Sequence, residues 1–180
     1  MMSGQRSRPA DSEKTKAAAA SDLERQFKAA MRRLAAGVAL ITTASEGRRF
    51  GMTATALCSL CIEPPALAIC INQSASMYDT LVARGAFCVN LLRECQADLC
   101  RSFSSASSED RFQFGSWRDD EDGLPYLIDS QVSIFCRVGP AMTFASHTMF
   151  VGEVAKIIVD DAIAPLVYLD GRYFAARPAP

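Results

Sequence analysis

The chain has almost no excess charge of either sign, and that removes one class of partner at once. Nineteen Lys and Arg stand against 20 Asp and Glu in 180 residues, leaving a net charge of -1 and a pI near 5.9. A nucleic-acid surface needs a basic stripe, so nucleic acid is not an expected partner. Long apolar runs are also missing. None approaches the ~20 residues of a membrane helix, and 1–20 lacks the apolar centre of a secretory signal. Asp11 and Glu13 count against a transit peptide. The expectation is a cytoplasmic protein with no membrane partner.

Histidine occurs once, at His147, and Cys-x-x-Cys occurs once, at Cys58 and Cys61. Zinc sites need more ligands than that, so no metal is expected. Residues three apart on a strand face opposite sides, which makes the pair unfit for a disulfide or a shared ion unless a bulge intervenes. Both read as packing residues. Seven cysteines cannot all pair within one chain, and most sit in apolar stretches, which fits a reducing compartment.

What is present is an ordinary globular composition, 49% hydrophobic and 22% charged. At this length one core is expected: residues 1–20 as a flexible tail, 21–180 as a single domain. Ser21-Asp22-Leu23-Glu24 reads as a capping box opening an amphipathic helix, with Leu23, Phe27, Met31 and Leu34 on its buried face. A strand over 38–43, a turn at Glu46-Gly47 and a strand over 50–60 predict a hairpin. Pro64-Pro65 ends the second strand, and 66–71 forms a third. A short helix opens at Ser76 and stops near Gly85, followed by a strand over 87–91. A helix over 94–103 is expected to bury Cys95, Leu99 and Phe103. The stretch 104–122 has no period and reads as a surface excursion held by Phe112, Phe114 and Trp117. Strands over 131–138 and 148–159 follow, then a hairpin over 166–175 about Asp170-Gly171. No internal repeat is visible. The pattern predicts a closed or partly closed antiparallel barrel with helical additions.

Alternation along 50–60 places Met52, Ala54, Ala56, Cys58 and Leu60 on one face and Thr53, Thr55, Leu57, Ser59 and Cys61 on the other. Three hydroxyls on one face, with Asn72, Ser74 and Ser76 and a helix start nearby, could supply donors to an anionic or polyhydroxy ligand. Each feature is also ordinary alone: threonine suits strands, Ser76 suits a cap, Asn72 suits a turn.

From about Phe27 to Phe174 the sequence resembles the short-chain flavin reductases, including reductase components of two-component flavin monooxygenases. FKAAMRRLAAGVALITT, GMTATALCSLCIEPPALAICINQSASMY, GAFCVNLL, QADLCRSFSS, DRF and HTMFVGEV occur in the family's order. The resemblance implies a mainly β fold, the FMN-binding split β-barrel (antiparallel, Greek-key-like) with a few helices, as a homodimer. It implies transfer of hydride from NADH or NADPH to FMN or FAD, with reduced flavin passing to a partner monooxygenase. It implies flavin contacts at Met52, Thr53, Ala54, Thr55, Ser59, Asn72, Ser74, Ser76, Phe103 and Arg111. Phe103 reads equally well as a core residue. His147 matches a histidine placed near the nicotinamide, but Ala145 and Ser146 stand where the family has Gly and Asp, so the carboxylate that would orient the imidazole is missing. Two other uses of the barrel stay open: a flavoenzyme whose tightly bound flavin serves its own substrate, and a non-catalytic flavin-binding module.

Overall fold

A computed structural model describes residues 9–108 and 110–177. Its main sheet has seven antiparallel strands: β2 (Ala39–Ser45), β3 (Arg48–Ala54), β4 (Leu57–Ile62), β5 (Pro65–Asn72), β6 (Ala86–Leu91), β9 (Val132–Phe144) and β10 (His147–Val159). Their order is β3-β2-β6-β9-β10-β5-β4. The sheet does not close, because β3 and β4, consecutive in the chain, lie at opposite edges. That is the split of the barrel. A small sheet of β1 (Ala36–Gly37), β11 (Leu166–Leu169) and β12 (Arg172–Ala175) and a ribbon of β7 (Trp117–Asp119) and β8 (Pro125–Leu127) complete the strands. The helices are α1 (Pro9–Met31), α2 (Tyr78–Arg84) and α3 (Ala97–Ser105). Among the described residues no helix is long and apolar enough to cross a membrane.

Turn chemistry places the expected hairpins. Glu46 and Gly47 have φ of 51° and 75°, and Asp170 and Gly171 have 48° and 77°, the paired positive angles of a two-residue hairpin turn. The strand expected over 50–60 is two strands instead. A tight turn, with the Leu57 amide donating to the Thr55 carbonyl at 3.0 Å, breaks it after Ala54 and sends β4 to the far edge. The expected alternation therefore ends there.

β2 is buried along six of its seven residues because it is covered on both faces. Ile41 faces the barrel interior with Ile69, Ile71, Phe87, Val89 and Phe150. Leu40 faces outward to Leu92, Cys100, Phe103, Leu127 and Leu166. Gly152 is required where β10 crosses Phe87: a Cβ there would lie 2.5 Å from the Phe87 ring.

Several expectations are corrected. The helix does not start at Ser21 but runs from Pro9 through it, helped by the alanines at 17–20; residues 1–8 of the expected tail lie outside the described residues. Asp22 and Glu24 bind Arg25 and Lys28 one turn on rather than capping. The apolar stripe of α1 is not packed on its own barrel, and Leu23, Phe27, Met31 and Leu34 are all exposed. Before α3, a 3-10 turn over Glu94–Gln96 advances the helical phase. Cys100 and Phe103 are consequently buried and Cys95 is exposed. Phe112 and Trp117 anchor the excursion as expected, while Phe114 stays exposed. Cys58 and Cys61 are exposed on β4 rather than packed, and a bulge does fall between Ser59 and Cys61. Burial pushes the thiols of Cys88 and Cys100 up and that of Cys136 to about 12, which keeps all three protonated and unreactive near neutral pH.

Candidate functional site

Two adjoining clefts lie against β3 on the side of α3. The first, of about 400 Å³, is lined by Met52, Thr53, Ser74, Ser76, Phe103 and Arg111, with Ala75, Ser104 and Ser108. The second, of about 280 Å³, is lined by Ala54, Thr55, Tyr168 and Tyr173, with Val38 and Cys100. Thr53 and Ser104 border both.

Packing behind the first cleft fixes Arg111. Phe103, Phe112 and Trp117 form a cluster with centroids 4.8 to 5.7 Å apart, and the Trp117 indole N–H donates to the Phe114 carbonyl at 2.6 Å. This pins the 3-10 turn over Arg111–Gln113 against β3. The guanidinium lies 5.9 Å from the Phe103 ring centre, and its Nη1 donates to the Gly51 carbonyl at 2.7 Å. Gly51 allows this close approach: a Cβ there would sit 2.9 Å from the Ile41 oxygen and 3.0 Å from Phe103. Phe103 is fully buried, so its main part is to support Arg111 from below.

The Arg111 Nε is buried and has no hydrogen-bond partner. Such a donor is costly to leave unmet and marks a place for an acceptor. The hydroxyls around it are not equivalent. Ser104 donates to the Cys100 carbonyl at 2.9 Å, so in its 3.0 Å contact with Thr53 the threonine donates. Ser74 donates to Asn72 Oδ1, and Ser108 donates to Ser76 at 2.7 Å. Ser76 therefore accepts, from Ser108 and weakly from Arg111 at 3.5 Å, and keeps its own proton. An uncommitted hydroxyl proton beside an unpartnered guanidinium N–H suits a phosphate oxygen. The donor set thus fits a phosphate-bearing ligand.

Of the positions implied by the resemblance, the first cleft gathers Met52, Thr53, Ser74, Ser76, Phe103 and Arg111, and the second Ala54 and Thr55. Asn72 stands behind the first, its Oδ1 accepting from the Ser74 amide and hydroxyl at 2.9 Å each. Ser76 is not a cap, since α2 begins at Tyr78 after Met77. Ser59 lines neither cleft, because the break after Ala54 carries it to the other edge. His147 is exposed at the start of β10, opposite Asn72, and lines neither cleft; the Ser146 hydroxyl is 2.9 Å from its Nδ1, so a hydroxyl takes the orienting position expected of a carboxylate. Ser104, Ser108 and the two tyrosines were not anticipated. Burial and its hydrogen bond with Cys100, 3.1 Å away, push the Tyr173 phenol up to about 12, so it stays neutral.

Comparisons with known proteins bear on the family. The chain is 38% identical over 156 residues to the reductase component of an FADH(2)-dependent resorcinol hydroxylase from Rhizobium sp. strain MTP-10005, covering 85% of this chain and 87% of that protein. It is 41% identical over 148 residues to an FMN reductase (NADH), RutF, from Pseudomonas syringae pv. syringae, covering 82% and 83%. The fold matches a crystal structure of a putative flavin reductase from Haemophilus somnus 129PT with a TM-score of 0.81 at 33% identity, over 84% of this chain and 98% of that one. It also matches an NADH:FAD oxidoreductase of Streptomyces globisporus in complex with NAD and FAD fragments, with a TM-score of 0.79 at 26% identity, over 87% and 93%. The model of the flavin reductase like domain covers residues 31–177, and with these relatives it shows that the chain belongs to the flavin reductase family, built on its split β-barrel.

Proposed function

We propose that this protein is an NADH:flavin oxidoreductase that releases reduced flavin to a partner monooxygenase. The observation that carries the reading is the buried, unpartnered Arg111 Nε beside the free proton of Ser76, in a cleft running along β3. The names of the relatives, an FMN reductase (NADH) and a hydroxylase reductase component, support both the nucleotide and the partner.

Flavin, when bound, supplies the hydride-accepting ring. The chain's own residues have three tasks. Arg111 and Ser76 hold the phosphate; Thr53, whose hydroxyl is fixed by Ser104, and the main chain of β3 orient the ribityl chain and ring edge. His147, held by Ser146 and paired with Asn72 at the start of β10, is proposed to position the nicotinamide. No side chain need act as a nucleophile.

Anaerobic stopped-flow mixing with NADH and then NADPH tests the proposal. Bleaching that continues with flavin in excess over protein is the expected result. Bleaching that stops after one protein equivalent would show a retained flavin with its own substrate, and no bleaching would leave a binding module. His147→Ala is expected to slow bleaching at least several-fold with flavin affinity unchanged; an unaltered rate would make the histidine structural.

The protein is also proposed to be a homodimer. One chain leaves Leu23 (68%) and Phe27 (61%) exposed on α1, Leu34 (62%) just after it, and Phe144 (81%) at the end of β9, apolar groups that a partner copy would cover. Sedimentation should give twice the mass of 19.5 kDa. A monomer at micromolar concentration would refute this.

A further inference from the structure

The turn that leads into His147 stands clear of the barrel. β9 pairs with β6 over 132–137, and beyond that the hairpin of β9 and β10 runs on to its turn with every residue over 140–147 exposed. The turn also contains a strained residue. Ala145 has a φ of 49°, in the left-handed region that a residue with a Cβ rarely adopts. Such a conformation persists where the surrounding structure holds it.

What holds it is the segment 72–78, which also serves the first cleft through Ser74 and Ser76. Two of its ties are main-chain: Asn72 pairs with His147 in the ladder of β5 and β10, and the Gln73 amide donates to the Ser146 carbonyl at 2.9 Å. The third is made by side chains. The phenol of Tyr78, the first residue of α2, lies 2.9 Å from Thr148 Oγ1, which lies 2.9 Å from Thr143 Oγ1 on the facing strand. Thr148 is buried and has one hydroxyl proton, so it cannot donate to both neighbours and accepts from at least one of them. The three hydroxyls thus make one brace, gripping both strands one residue pair below Phe144 and His147. The Tyr78 ring packs on Phe150 with centroids 5.9 Å apart, which fixes the direction of the phenol. Tyr78, Thr143 and Thr148 line neither the first nor the second cleft, so the brace is not part of the phosphate donor set.

We propose that Tyr78 is a positioning residue for hydride transfer: through Thr148 and Thr143 it fixes the turn that leads into His147, and so fixes where that histidine holds the nicotinamide. A displacement of about 1 Å is enough to slow a reaction between two held partners, which is why an exposed, strained turn needs the brace. The inference rests on the reductase reading above and deepens it by naming what places the histidine.

Steady-state reduction of FMN by NADH, with FMN affinity measured by fluorescence quenching, tests it. Tyr78→Phe keeps the ring on Phe150 and removes only the hydroxyl; it is expected to lower kcat/KM for NADH about fivefold, as loss of one hydrogen bond allows, with FMN affinity unchanged. Thr148→Val breaks the same brace and should match it, whereas Thr148→Ser keeps the hydroxyl and should retain most of the rate. In a His147→Ala background Tyr78→Phe should have no further effect, because it acts through the histidine. An unchanged kcat/KM in Tyr78→Phe, an equal loss of FMN affinity, a Thr148→Ser variant as slow as Thr148→Val, or a full additional loss in the double variant would overturn the proposal and leave the reductase reading standing. So would a His147→Ala variant as fast as the unaltered protein. Failure of the unaltered protein to reduce FMN with NADH would remove that reading, and this one with it.

Discussion

Arg111→Met is expected to weaken FMN binding about 10- to 100-fold while riboflavin binding hardly changes, since a hydrogen bond to a charged group contributes about 1.5–3 kcal/mol. The two ligands differ only in the phosphate, and that is the group proposed to meet the buried Nε and its neighbour Ser76. Methionine retains much of the side-chain volume over Phe103 but offers no donor. Its cost to folding is small, because the only strong internal bond lost is the one to the Gly51 carbonyl. Arg111→Lys should fall between, as the charge persists without the planar fork. Titration by fluorescence quenching, with thermal melting as a control, gives the answer. An equal loss for riboflavin and FMN would show that Arg111 shapes the cleft without touching a phosphate.

The second large effect concerns stability. Asn90 is fully buried on β6, and its amide is spent in full: Nδ2 donates to the Leu40 carbonyl at 3.0 Å and to Thr42 Oγ1 at 3.2 Å, while Oδ1 accepts from the Leu127 amide at 2.8 Å and from Ser133 at 3.1 Å. One side chain therefore ties β2, β8 and β9 to β6. Asn90→Ala strands several of these groups at once, and at about 1–3 kcal/mol for each buried unsatisfied group the loss should be about 3 kcal/mol or more. Urea unfolding would measure it. A change below about 1 kcal/mol, the size of an average substitution, would mean that water replaces the amide. Because Leu127 belongs to the ribbon that follows the excursion carrying Arg111, weakened ligand binding is expected to accompany the destabilisation.

How legible each part was depends on whether its cause is local. The hairpins about Glu46-Gly47 and Asp170-Gly171 could be read because the turn residues themselves impose the angles. The break after Ala54 could not, since Thr55 and Ala56 carry no turn signature and the strand pattern continues across them; that break is why Ser59 lines neither cleft. Cys95 and Cys100 exchanged burial because a single 3-10 turn shifts the phase of a helix, and periodicity assumes a uniform one. Of the residues lining the first cleft, Met52, Thr53, Ser76 and Arg111 are among those the resemblance implied. Ser104 and Ser108 were not, as they lie in an aperiodic serine-rich stretch. Nor could any sequence show that Ser74 and Ser108 have already given their protons to neighbours while Ser76 has kept its own.

β3 is an edge strand, paired on one side only with β2. Its other row of amides and carbonyls is not paired with another strand, and the Gly51 carbonyl already serves Arg111 in this way. Recognition of that kind is written in the backbone, which every residue type carries alike. Such a protein can exchange most of its side chains over generations and keep its ligand, provided that the strand stays straight and a small residue stays at Gly51. Relatives at 38% or 41% identity have room to share such a backbone edge on these terms.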